Sequence, residues 1–275
     1  MRQREIDLPR QTGLSYVQSQ LPSYAYRPDS DNYLELSLKV ASDPSIHFPS
    51  DRNNHYNMSN LVVVAKLPFV SSAAKDTALK KLVKIAQFAK ENEPDTLKYF
   101  ISSSRNKSEE NALHVVEEYT SQAAFDAHVS IDPVKDMVGW LTSNPQNIEG
   151  EAIVTMSETY ASFTRPEVFK ATDPWICYAS IEYKEGKRAE ALEPWKHVTS
   201  ETEKNEAETL SYSILKDMGH PETVKTIEVY ASQGYFKEVH VPSKAVQDNV
   251  NKYGNEIRLS LTHVFLKFQT GFLGR

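Results

Sequence analysis

The sequence predicts an α+β chain made of two tandem β-α-β-β-α-β units, and three observations carry that prediction. Runs rich in β-branched residues alternate with amphipathic stretches at helical spacing. The same order of elements occurs twice along the chain. Residues from the two halves also match at nearly constant offsets, which is the signature of an internal repeat.

In the first unit, Leu61–Leu67 is a β-branched run that ends at Pro68 and reads as a strand. Residues 75–91 place Leu79, Leu82, Val83 and Ala86 near helical spacing, with a lysine-rich outer face. Glu93-Pro94-Asp95 stops that helix. Thr96–Ser103 and Leu113–Tyr119 read as the next two strands. Ser121 is placed to cap a helix over residues 122–128, which Asp132-Pro133 interrupts before a second helical piece ending near Leu141. Ala152–Phe163 is the fourth strand, completing one ferredoxin-like unit.

The second unit repeats this with Trp175–Tyr183, a helix over 188–204, Thr209–Leu215, Thr226–Tyr230, helical or irregular pieces at 232–240 and 244–253, and a last strand over 258–269. Pro194 predicts a kink or a later start for the helix. Asn92-Glu93, Thr96-Leu97 and Tyr99 meet Asn205-Glu206, Thr209-Leu210 and Tyr212 at one offset. Glu117, Tyr119, Ser121, Gln122 and Phe125 meet Glu228, Tyr230, Ser232, Gln233 and Phe236 at an offset two residues shorter. At that second offset Val239, not His240, falls on His128. The expected organisation is an irregular extension over 1–58, a first domain over 59–165 and a more divergent second domain over 172–275. Within the extension only Tyr33–Val40 alternates like a strand; the favoured reading of residues 1–58 is an irregular segment lying on the folded body, and a lid over a site is the sharper one.

Composition excludes several function classes. A net charge of -6 has the wrong sign for a broad nucleic-acid or acidic-membrane footprint. No apolar run is long enough to span a bilayer as a helix, and the N-terminus lacks the pattern of a secretory signal, so a cytoplasmic address is expected. One cysteine, Cys177, allows no internal disulfide and no cysteine-built metal site. The nine glycines form neither a G-x-G-x-x-G turn nor a Walker A loop, which argues against nucleotide cofactors. The eight histidines show no i,i+2 or i,i+4 pair, so no dedicated metal site is expected, and with no Gly-rich loop no cofactor is expected either.

The run Val62-Val63-Val64-Ala65-Lys66, then Glu93-Pro94-Asp95-Thr96-Leu97-Lys98-Tyr99, Val115-Val116-Glu117-Glu118-Tyr119 and Ala123-Ala124-Phe125-Asp126-Ala127-His128, resembles the antibiotic biosynthesis monooxygenase family. The resemblance covers about 100 residues of the first half and, more weakly, a similar length of the second. It implies that the two units close as an intramolecular dimeric α+β barrel, an internal pseudo-dimer with room for a further homodimer. Physical reasoning agrees, because one such unit leaves an apolar sheet face uncovered. Asp95 stands where the family has glycine, and no second histidine follows His128. With Val239 at the aligned position, the second half is expected to be a partner that has lost its chemistry.

Glu117 and Tyr119 lie two apart on a strand and so share a face, where an acid beside a phenol can bind a phenolic substrate or move a proton. A structural hydrogen bond satisfying a buried tyrosine is the other reading, and its recurrence as Glu228 and Tyr230 favours it. His128 ends a short helix, and an imidazole is the side chain ordinarily suited to general-base work on a phenol. These three are the candidate catalytic residues. Tyr99, Trp140 and Phe125 are the candidate substrate contacts, although core packing also accounts for Tyr99 and Trp140. His114 faces away from Glu117 and reads as a strand-surface residue.

The resemblance implies a cofactor-independent monooxygenase that oxidises an aromatic polyphenol, such as an anthrone or hydroquinone, with O2. The partners are then a small aromatic substrate and O2, with no nucleic acid and no membrane. A non-catalytic binding or scaffold protein on the same barrel is the alternative. Haem binding or degradation is a further one, against which the first strand carries no asparagine.

Overall fold

The computed structural model describes residues 59–275, Asn255 excepted, so the extension over 1–58 and its strand-like Tyr33–Val40 lie outside the described residues. The first half runs β1 (Leu61–Pro68), α1 (Ser72–Asn92), β2 (Thr96–Ser104), β3 (Ala112–Tyr119), α2 (Gln122–Val129), α3 (Asp132–Ser143) and β4 (Ile153–Thr164). The second half runs β5 (Trp175–Tyr183), α4 (Arg188–Asn205), β6 (Thr209–Asp217), β7 (Thr223–Tyr230), α5 (Gln233–Tyr235) with a π turn over Phe236–His240, α6 (Lys244–Tyr253) and β8 (Arg258–Phe272). Each strand begins and ends within a few residues of the sequence expectation.

Local chemistry sets the boundaries. Ser71, Ser121 and Ser232 each accept a hydrogen bond from a backbone N–H of the helix that follows, at 3.2, 3.2 and 3.1 Å. Pro194 does not delay its helix, because α4 begins at Arg188 and continues through the proline. The proline leaves the Glu190 carbonyl without its helical donor.

The eight strands close into one barrel in the order β1-β3-β2-β8-β5-β7-β6-β4, with antiparallel pairing throughout. Each half supplies four neighbouring strands, and two seams join them, β2 against β8 and β4 against β6. Strand alternation divides the core. Val62, Val64, Phe100 and Val116 face the barrel interior and form one cluster with Ile176, Leu210, Ile227, Val229 and Leu266 of the other half. The opposite faces carry Ala65, Tyr99, Ile101 and Val115, which pack under Ala78, Leu82 and Ile85 of α1. Cys177, Tyr212 and Ile214 pack in the same way under Ala191, Trp195 and Val198 of α4.

The barrel interior is not wholly apolar. Lys98 pairs with Glu118 at 2.8 Å, and the Asn60 side-chain amide donates to the same carboxylate at 2.7 Å. His114 alternates with Val116 on β3, so it also points inward. It is buried, which corrects the strand-surface reading. Its Nδ1 has no partner among the described residues. Burial, helped by the charge of Lys66, holds this imidazole down to about 4.

Two stability tests follow from these features. Gly271 sits at φ 109°, and a Cβ there would come within 2.2 Å of the Tyr99 carbonyl oxygen across the β2–β8 seam. Gly271→Ala is expected to cost at least about 2 kcal/mol, a Tm fall of roughly 4–8 °C in a thermal melt. Neutral His114 contributes stability that is fully present above pH 6.5 and is lost as pH falls towards about 4. His114→Leu should therefore flatten the acid side of the stability–pH curve by on the order of 3 kcal/mol. Unchanged acid sensitivity in urea titrations at pH 4 and 7 would refute it.

Candidate functional site

The candidate residues meet on the helix-covered side of the first half's sheet. Glu93 caps the C-terminus of α1, its N–H donating to the Ala89 carbonyl at 3.0 Å. Its Oε2 lies 2.7 Å from Nδ1 of His128, in the last turn of α2, and accepts from Thr96 Oγ1 at 3.4 Å. One carboxylate thus ties the end of α1, the start of β2 and the end of α2. A charged carboxylate can only accept, so Nδ1 carries the hydrogen in this pair when the imidazole is neutral.

The His128 ring lies 5.5 Å from the Tyr99 ring and 5.4 Å from the Tyr119 ring. Phe125, one turn earlier on α2, meets Tyr119 edge-on at 5.6 Å. Tyr119 donates its hydroxyl to Glu117 Oε2 at 2.8 Å. Burial pushes the Glu117 carboxyl up, against the opposing pull of His128 and of the Tyr119 hydrogen bond. His128 is 1% exposed and Tyr119 0%, so the cluster is closed to solvent.

Five of the six sequence candidates, Tyr99, Glu117, Tyr119, Phe125 and His128, are therefore in one place. Trp140 is not. It lies on α3, half-buried, 6.4 Å from Phe69 in the core beneath α1.

The second half builds the same cluster, which corrects the alignment of Val239 with His128. His240 Nδ1 lies 2.8 Å from Glu206 Oε2, and Thr209 Oγ1 donates to that oxygen at 2.9 Å. The ring sits 5.5 Å from Tyr212 and 5.0 Å from Tyr230. Tyr230 donates to Glu228 Oε2 at 2.7 Å, and Thr226 to Oε1 at 2.7 Å. The physical reason is the π turn over Phe236–His240, whose wider ring accommodates one extra residue and swings His240 into place. Val239 is displaced to the surface, 39% exposed.

Burial would raise Glu206, but the hydrogen bond and charge of His240 and the hydrogen bond from Thr209 outweigh it and hold the group below the usual carboxylate range. The Tyr212 and Tyr230 phenols and the Cys177 thiol are pushed well up by burial and then by Glu228.

Glu93 and Glu206 are the functional-site residues that sequence reasoning missed. The signal was present, because each belongs to the aligned Asn-Glu-x-x-Thr-Leu segment and precedes its histidine by 34 or 35 residues. Two clefts open elsewhere. One of about 350 Å3 is lined by Leu141, Thr142, Pro145 and Ile148. Another of about 420 Å3 lies at the end of β2, beside β5 and β8. Neither is lined by the clustered residues.

Residues 60–140, which hold β1 to α2 and the whole first cluster, match the antibiotic biosynthesis monooxygenase family. This segment is an antibiotic biosynthesis monooxygenase domain. Solved structures extend the likeness across the barrel. A candidate monooxygenase from Lactobacillus acidophilus NCFM aligns with a TM-score of 0.67 at 14% identity, over 78% of this chain and 97% of its own. One from Fusobacterium nucleatum aligns at 0.68 and 18%, over 80% and 97%. An anthrone oxidase-like protein aligns at 0.57 and 10%, over 77% and 92%. At these identities the likeness establishes the α+β barrel fold. No curated protein matches the chain. Among the described residues, no helix is long and apolar enough to cross a membrane.

The monooxygenase domain's buried acid provides a test by pH. A carboxyl raised above its ordinary value stabilises the fold most at low pH, and that contribution is lost as pH rises through the raised value. Glu117→Gln keeps an acceptor for Tyr119 but does not titrate. The Tm of wild type minus that of the variant should fall as pH is raised from 4 to 8, and a flat difference would contradict the placement.

Proposed function

We propose that the chain is a monooxygenase that oxidises an electron-rich phenol with O2 and without a bound cofactor. The observation that carries this reading is the His128–Glu93 pair, an imidazole fixed by a carboxylate at 2.7 Å and flanked by two tyrosines in a water-poor space. With Nδ1 engaged by Glu93, Nε2 is the base that takes the phenolic proton. The phenolate then gives one electron to O2, and the semiquinone and superoxide radicals recombine at carbon. Loss of water from the resulting hydroperoxide leaves a carbonyl, so a methylene plus O2 becomes a carbonyl plus water. Glu117 and Tyr119 would supply the hydrogen bonds that favour the phenolate, and Tyr99 and Phe125 the ring contacts. Because His128 is 1% exposed, substrate reaches it only when α2 lifts from the sheet. Residues 172–275 are read as a diverged second copy of the domain, on the strength of the same element order and the same cluster.

One observation favours a second reading, a barrel that binds or scaffolds without catalysis. The His–Glu–Tyr–Tyr cluster recurs in both halves and is closed to solvent in each, as expected of a group that pins a helix to a sheet. Oxygen uptake with a panel of hydroquinones and anthrones, without added metal, flavin or haem, separates the two. The oxygenase reading expects uptake above the uncatalysed rate, reduced by about 10²–10⁴ in His128→Ala. If the panel gives no uptake, while His128→Ala and His240→Ala lower Tm equally, the scaffold reading takes its place.

A further inference from the structure

The two seams of the barrel are equivalent in backbone and different in chemistry. At the β2–β8 seam the Arg105 N–H donates to the Phe265 carbonyl at 2.8 Å, and at the β4–β6 seam the Met218 N–H donates to the Met156 carbonyl at 3.0 Å. Strand register extends the correspondence, since Trp175 opposite Tyr230 matches Leu61 opposite Tyr119, and His263 opposite Ala179 matches Val154 opposite Ala65. The β4–β6 seam thus has Leu61, Val154, Met156 and Met218, three of which pack against the hydrophobic cluster that contains Phe125. The β2–β8 seam has Trp175, His263, Phe265 and Arg105 in the same places. It opens into the cleft of about 420 Å3, a volume within the range of small-molecule sites.

The cleft's polar groups are held in position. The Arg105 guanidinium lies 4.5 Å over the Trp175 ring. It donates from Nε to the Leu266 carbonyl at 3.0 Å, and from Nη2 to Asp173 at 2.9 Å and the Pro174 carbonyl at 3.2 Å. Its Nη1 has no acceptor among the described residues. The indole Nε1 of Trp175, at the cleft wall, is buried and also lacks one. Phe265 and His263 present parallel rings, 2° apart in plane and 5.9 Å between centroids. Crowding by its neighbours lowers the His263 imidazole, although the residue keeps an exposed edge. Glu109, on the opposite rim, has its charge matched by Lys66 at 2.5 Å.

We propose that this cleft binds a planar aromatic carboxylate, with its ring against Phe265 and Trp175 and its carboxylate on Arg105. The flat apolar walls select the ring, and the spare guanidinium edge selects the anionic acceptor. The proposal is independent of the oxygenase reading, because none of the first cluster's residues lines the cleft.

Calorimetric titration of the full chain with 2-naphthoate tests it, with neutral 2-naphthalenemethanol as the matched probe. Saturable binding of naphthoate is expected, at least tenfold tighter than the alcohol. Arg105→Met should weaken naphthoate at least tenfold, while Lys81→Met, which removes a cation elsewhere, should not. Since Arg105 also braces the seam, Phe265→Leu serves as a second variant that removes a ring from the wall and leaves the guanidinium, and it should weaken binding of naphthoate and alcohol alike. Failure of naphthoate to saturate at millimolar concentration, equal affinity for the alcohol, or equal affinity in both cleft variants would overturn the assignment. Oxygen uptake is not read in this experiment, so either proposal can fail alone.

Discussion

Each half of this chain makes a four-stranded sheet with two apolar faces, and its own helices can cover only one. The other face finds cover only against the second half, which is why Val62, Phe100 and Val116 share a cluster with Ile176, Ile227 and Leu266. Closure removes the sheet edges as well as the apolar surface, because β2 and β4 find partners in β8 and β6. Helix placement, the depth of the buried clusters and the position of the clefts all follow from that one requirement.

The clusters on the outer faces show how polar groups can serve such a core. A histidine, a glutamate and two tyrosines would be costly if any were left unpaired. Here Glu93 and Glu206 each join a helix end, a strand start and a second helix end through hydrogen bonds of ordinary length. A network of this kind can be structural and still offer the proton-transfer groups of the proposed reaction, since both uses require the imidazole to be fixed in tautomer and orientation.

Much of the architecture was legible in the chain. β-Branched runs marked the strands, Ser121 marked the start of α2, and the doubled Asn-Glu-x-x-Thr-Leu segment is the ground on which a repeat is read. The face shared by Glu117 and Tyr119 followed from alternation alone. What alternation could not reveal was which side of the sheet it was, because in a closed barrel both faces are buried and both carry apolar residues. His114 was misread for that reason. His240 was misread because a π turn changes residue count without changing position, and counting assumes a regular helix. Glu93 was legible as a helix stop but not as a ligand of His128, since that contact depends on how α2 packs. The β2–β8 cleft draws on residues 104 to 265 and has no local pattern to reveal it.

Closure within one polypeptide has a consequence for how such a barrel can change. In a barrel made of two identical chains, symmetry duplicates every junction, so a substitution that opens one must open the other and is felt twice in stability. With both halves on one chain, each junction is encoded separately. Met156 and Met218 can stand at one while Arg105 and Phe265 line a cleft at the other. A covalent link between halves thus does more than fix their stoichiometry, because it lets the two junctions differ in side-chain chemistry while both stay hydrogen-bonded.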